Sequence, residues 1–126
     1  MKQTKLWLTT IVALLCSLTA SAHDFEVDGI YYDITSETDL TVGVTHRGIR
    51  FNDYYDEYSG EITIPSTVIY DNKTYCVTSI ERQAFHSCSS LSSISIPKEI
   101  TYIGAYTFYN CSGLTSVTIP SSVTSI

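Results

Sequence analysis

Four cysteines, three histidines and thirteen carboxylates carry most of the reactive chemistry in this 126-residue chain. Cys88 and Cys111 are the first pair to weigh, because they occupy equivalent places in two similar segments. On adjacent layers they would lie near disulfide distance, but parallel Cβ vectors give a poor S–S dihedral. Buried thiols packed as small hydrophobes are therefore expected there. Cys76 has no counterpart, and three cysteines follow residue 22, so they cannot all pair within one chain. His23, His46 and His86 form no H-x-x-x-H or C-x-x-C spacing and are read as surface histidines rather than metal ligands. Asp53, Asp56 and Glu57 lack the alternating acids and central glycine of a calcium loop, so a solvated acidic loop is expected. No serine lies in a G-x-S-x-G turn, and none of the acid pairs in the front half is singled out. The residues therefore give no support to an enzyme, a bound metal or a cofactor.

Charge narrows the partners. All thirteen acids follow residue 22, together with only five Lys or Arg, so residues 23–126 carry a formal charge of −8. Phosphate binding needs a basic stripe, which excludes nucleic acid as the expected partner. An anionic membrane surface is disfavoured for the same reason. Ten of the acids fall between Asp24 and Glu61, which concentrates the negative charge at the front.

The elements that would position any site are β-strands. Ser and Thr number 34 of 126, and Ile, Val and Tyr recur among them with a period, which argues against both helical bundles and disorder. Lys2 and Lys5, the apolar run Leu6 to Leu18 and Ala20-Ser21-Ala22 form an export-signal pattern cleaved after Ala22. The apolar run is shorter than the ~20 residues of a spanning helix, and no later segment is apolar enough to span. Phe25 to Val27 and Ile30 to Ile34 flank Asp28-Gly29, a two-residue hairpin turn. Leu40, Val42 and Val44 alternate with small residues as in a half-buried strand. Residues 46–60 read as a loop, Glu61 to Pro65 as a strand, and residues 68–77 as a second hairpin.

From Ile80 the chain repeats itself at an offset of 23. Phe85 matches Phe108, Cys88 matches Cys111, Leu91 matches Leu114, Ile96-Pro97 matches Ile119-Pro120 and Ile103 matches Ile126. Ile64-Pro65 and Val77 to Ile80 form an earlier copy interrupted by nine residues, the second hairpin. A unit this small buries its apolar side only by stacking on its neighbours, which predicts a parallel sheet with strands ~4.8 Å apart. Leu91, Ile94 and Ile96 are expected inside, with Pro97 ending the strand. Glu61, Thr63, Ser93, Ser95, Ser116 and Thr118 alternate with the apolar positions and are expected on an open face. They are the candidate partner-binding row, and Tyr54, Tyr55 and Tyr58 are the candidate aromatic anchor.

The motif I-x-x-x-A-F-x-x-C-S-x-L-x-x-I-x-I-P-x-x-I-x-x-I at 80–103, echoed at 103–126, resembles leucine-rich repeats of the BspA-like class of bacterial surface proteins. The segments FEVDGIYYDIT and GEITIPSTV resemble the cap of such proteins. The resemblance implies a mainly β solenoid with a parallel sheet on one face and a hairpin-rich N-terminal cap. The divisions are a signal peptide at 1–22, a cap with a first irregular repeat at 23–79, and repeats at 80–126. It also implies a secreted or cell-surface adhesion module with a protein or extracellular-matrix partner, or a glycan. Stopping after two regular copies leaves a last strand uncovered, which points to a longer array or to end-to-end self-association. A second class remains open: the non-catalytic front of a larger secreted enzyme acting on glycans or peptides.

Overall fold

In the computed structural model of the chain, residues 23–48 and 57–126 are described. The signal pattern, Tyr54 and Tyr55 lie outside them. Eight strands and no helix make up the described residues: β1 (Phe25–Val27), β2 (Ile30–Ser36), β3 (Thr41–Thr45), β4 (Gly60–Thr63), β5 (Thr67–Tyr70), β6 (Lys73–Ile80), β7 (Leu91–Ser95) and β8 (Tyr102–Ile103).

Both hairpins form, the first at Asp28-Gly29 as expected and the second at Asp71-Asn72, one residue shorter than the expected turn 71–73 because Lys73 already pairs with Tyr70. Asp28 and Gly29 have φ of 51° and 82°, and Asp71 and Asn72 have φ of 53° and 61°. Two successive left-handed residues match the twist of the flanking strands. β1, β2 and β3 then make an antiparallel meander. β3 joins the repeat by pairing in parallel with β6, Val42 opposite Val77 and Val44 opposite Ile80.

From there the chain winds in coils with three sides. The first side is the parallel pair β4–β7, with Glu61 opposite Ser93 and Thr63 opposite Ser95. These partners are 32 residues apart, the 23-residue period plus the nine-residue insertion. The second side was not anticipated as a sheet. It is a ladder running β3, β6, β8, continued by a bridge from Tyr102 to Ser125. The inserted β5 pairs with the other half of β6, so the hairpin leaves the coil at a corner without disturbing the period.

The third side is the return limb, whose amides alternate between two kinds of partner. Ala84, His86 and Cys88 donate to carbonyls three residues back. Gln83, Phe85 and Ser87 donate to Ala105, Thr107 and Tyr109 in the next coil, at 2.8–3.1 Å. This winding requires left-handed backbone at Gln83 and Ser87 and, one period later, at Tyr106 and Asn110. Asn tolerates that region better than most residues. The requirement accounts for Asn110, and the hairpin turn accounts for Asn72.

Inside the coils, Leu91, Ile80, Ile100, Ile103, Val77, Phe85, Ala84 and Cys88 are buried. Rings pack from coil to coil: Tyr58 tilted at 47° against Phe85, 4.7 Å between centroids, and Phe85 stacked on Phe108 at 5.8 Å and 10°. Such pairs contribute about 0.5–1.5 kcal/mol each beyond their buried area. The cysteines are free: Cys88 and Cys111 are buried and Cys76 is exposed. The Cys111 thiol donates to the Phe85 carbonyl at 2.9 Å, another link across one period, and burial raises its pKa.

One expected strand is missing. Residues 114–119 repeat the pattern of β7, yet they form no ladder with it. Leu114 and Val117 are half-buried where Leu91 is fully enclosed.

The inside and outside assignments make a direct test. Leu91→Asp places a carboxylate in the core, costing several kcal/mol against a total stability of about 5–15 kcal/mol. That variant is expected to lose its β-type circular dichroism and cooperative melt, whereas Ser93→Asp keeps both. Equal effects would contradict the assignment.

Candidate functional site

The open face of the first side holds four of the six residues in the candidate row. Glu61 and Thr63 on β4 stand beside Ser93 and Ser95 on β7, all exposed, while Ile62 and Ile94 turn inward. The result is a small grid of one carboxylate and three hydroxyls. Hydroxyls both donate and accept, so the grid can hydrogen-bond a partner backbone or a hydroxylated polymer. Ser116 and Thr118 are exposed too, but the segment that carries them is not paired into the sheet.

The aromatic anchor needs correction. Tyr58 is buried, with 2% of its surface exposed. Its hydroxyl accepts from the Tyr31 amide at 3.1 Å and donates to the Thr45 carbonyl at 2.6 Å. It therefore ties β2 and β3 to the first coil. Burial pushes its pKa far above that of a free phenol, so it stays protonated and able to donate. A tyrosine engaged this way does not reach a partner.

Two other residues play roles that their types alone did not reveal. Glu57 is not solvated: its side chain is 1% exposed, 3.3 Å from the Arg47 guanidinium. It accepts from the Arg47 and Gly48 amides at 2.7 and 3.1 Å. It thus ties the start of the first coil to the Arg47 and Gly48 backbone that follows β3. His86 is buried rather than on the surface, stacked 5.1 Å from Tyr109, with Nδ1 2.9 Å from the Ser87 hydroxyl. Desolvation, with a smaller contribution from His46, lowers its pKa.

Carboxylates gather at the junction of cap and coil. Ser79 donates to Glu81 at 2.6 Å above Gly43, where an added Cβ would lie 2.5 Å from the Glu81 carboxylate. Asp33, which pairs with Gly43, has its pKa raised from 3.8 to about 6, first by burial, then by Asp24 and Glu81. Among the described residues no group of three or more His, Cys, Asp or Glu is arranged to hold a metal ion. The cluster is an electrostatic load on the junction.

With the coils and the grid established, comparison with known proteins is direct. Residues 48–126 match the model of the BspA type leucine-rich repeat region. The chain belongs to the BspA-type leucine-rich repeat family. It is similar to a leucine-rich repeat protein from Bacteroides ovatus ATCC 8483, with 36% identity and a TM-score of 0.67 over 80% of this chain and 24% of that one. It is also similar to a leucine-rich cell surface protein from Faecalibacterium prausnitzii A2-165, with 27% identity and a TM-score of 0.60 over 85% of this chain and 26% of that one. The repeat protein of T. pallidum, 21% identical with a TM-score of 0.58 over 79% of this chain and 41% of that one, shares the fold. No curated protein matches. The chain spans about a quarter of the length of the first two structures.

The Asp33 shift sets a pH dependence. A carboxyl whose folded pKa exceeds its unfolded value binds protons more tightly when folded. Stability from this group is therefore fully present below pH 3.8 and is lost as pH rises to about 6. Asp33→Asn is expected to be more stable than the parent to urea at pH 7, with the gap closing near pH 4. A gap independent of pH would contradict the shift.

Proposed function

We propose that this chain is an exported, non-catalytic binding module of a bacterial cell surface, which engages a protein partner through the open face of the β4–β7 sheet. The observation that carries this reading is the exposed grid of Glu61, Thr63, Ser93 and Ser95 on a rigid, ladder-bonded support. Membership of the BspA-type family supports it, as does the likeness to a cell surface protein. The export pattern at 1–22 supplies the route. Short hydroxyl side chains lose little rotamer entropy on binding. Such a surface suits contact with an extended protein or matrix polymer.

The test is binding of the purified chain to immobilised extracellular-matrix proteins and to a glycan array. The expected result is binding to at least one matrix protein that Ser93→Arg/Ser95→Arg abolishes without changing the melting temperature. Binding that survives the double variant, or binding to glycans alone, would overturn the reading.

A further inference from the structure

The two parallel ladders begin differently. On the second side, the first coil strand β6 is covered by β3, with the carbonyls of Leu40, just before β3, and of Val44 within it accepting from Cys76 and Glu81 at 2.8 Å. On the first side, β4 pairs only with β7, and among the described residues no strand lies on its other edge. The parity of β4 shows which groups that edge presents. Gly60 and Ile64 donate toward β7, to Ser90 and Ser95 at 2.9 and 3.0 Å. In a parallel ladder alternate residues point opposite ways, so the N–H and C=O of Glu61 and Thr63 face away from β7. The irregularity of this pair lies on β7, where Ser92 is the extra residue, and leaves the parity of β4 intact.

That edge opens into a cleft of about 530 Å³. Val27, Asp28 and Ile30 at the tip of the first hairpin form one wall, and Glu61, Ile62 and Thr63 form the other. Ile69, 68% exposed, stands at its mouth. Asp28 and Glu61 are the charged residues in the lining, and both are exposed acids. The cleft therefore offers backbone donors and acceptors in strand spacing, aliphatic walls and negative charge. Its volume is in the range of about 300–1,000 Å³ usual for ligand sites.

We propose that the free edge of β4 takes an added strand, an extended basic peptide segment of a partner protein, alternating β-branched and Lys or Arg side chains. Glu61 and Thr63 exchange main-chain hydrogen bonds with the incoming strand, which sits ~4.8 Å away. Its aliphatic side chains meet Val27, Ile30 and Ile69, and its cations meet Asp28 and Glu61. The negative charge of residues 23–126 favours the same partner sign at longer range. The cap thus closes one ladder and leaves the other able to continue into a partner. This site shares the Glu61 carboxylate with the open-face reading but differs from it in using the outer edge and backbone of β4 rather than the hydroxyls of β7.

Proline provides the test. At position 63 it removes an N–H that makes no bond to β7, so the fold tolerates it as edge strands do. It also removes the donor that the added strand needs. The probe is a blocked peptide of alternating lysine and valine, with the glutamate–valine peptide as control, read by amide hydrogen exchange and by affinity. The Lys–Val peptide is expected to protect the Glu61 and Thr63 amides of the parent chain, and the Glu–Val peptide to leave them unprotected. Thr63→Pro is expected to weaken Lys–Val binding by about tenfold or more, while Thr63→Ala binds as the parent does. Ser93→Ala/Ser95→Ala, which removes the open-face hydroxyls without adding charge beside Glu61, leaves this binding intact, so failure here and failure of the open-face reading are distinguishable. Lack of protection at Glu61 and Thr63, equal binding of the two peptides, or full affinity in a folded Thr63→Pro chain would overturn the proposal. If Thr63→Pro does not fold, the protection pattern of the parent chain decides.

Discussion

Hydrogen bonding between backbones one coil apart is the constraint on which this structure rests. Each coil bonds to the next across one 23-residue period on the second side and the return limb, and on the first side β4 bonds to β7 across that period plus the nine-residue insertion. A change of length within a coil would put every later bond out of register. The nine-residue insertion is tolerated because it folds on itself as β5 and half of β6, outside the winding. The left-handed residues Gln83, Ser87, Tyr106 and Asn110 follow from the same demand. Each non-glycine residue there costs about 1–2 kcal/mol at most, offset by the inter-coil bonds and buried rings it allows.

A ladder of this kind has edges, and the chain manages them unequally. β3 closes the second side, and the ring of Phe25, stacked 4.1 Å from Tyr70, fastens the inserted hairpin to the cap. Tyr58 and Glu57 hold the passage from cap to coil with four hydrogen bonds to backbone groups. The first edge of β4 has no such cover among the described residues. Along the repeat, β7 is a strand and its counterpart at 114–119 is not.

What was legible in the sequence followed from periodicity and turn chemistry. The 23-residue offset, the inward Leu91 and outward Ser93, the buried thiols, the turn at Asp28-Gly29 and the second hairpin each depend on neighbours along the chain or on strict repetition. What was not legible depends on contacts that no repeat announces. Tyr58 looked like one of three loop tyrosines, but one hydrogen bond each to β2 and β3 makes it a core residue. Glu57 looked like a solvated acid until two amides and a guanidinium were found around it. His86 became a buried ring because its counterpart one coil later is Tyr109. The candidate grid was readable to the extent that β4 and β7 obey alternation. Its extension to Ser116 and Thr118 assumed a ladder that the structure does not form.

Native-state hydrogen exchange tests the central claim most directly. If the coils are held by bonds across one period, the amides of Phe85 and Ser87 on the return limb and of Thr101 and Gly104 on the second side should exchange together, only through global unfolding. Phe85 and Ser87 exchanging at the rate of unprotected amides, while Thr101 and Gly104 stay protected, would mean that the return limb is not bonded from coil to coil, and the account would fail.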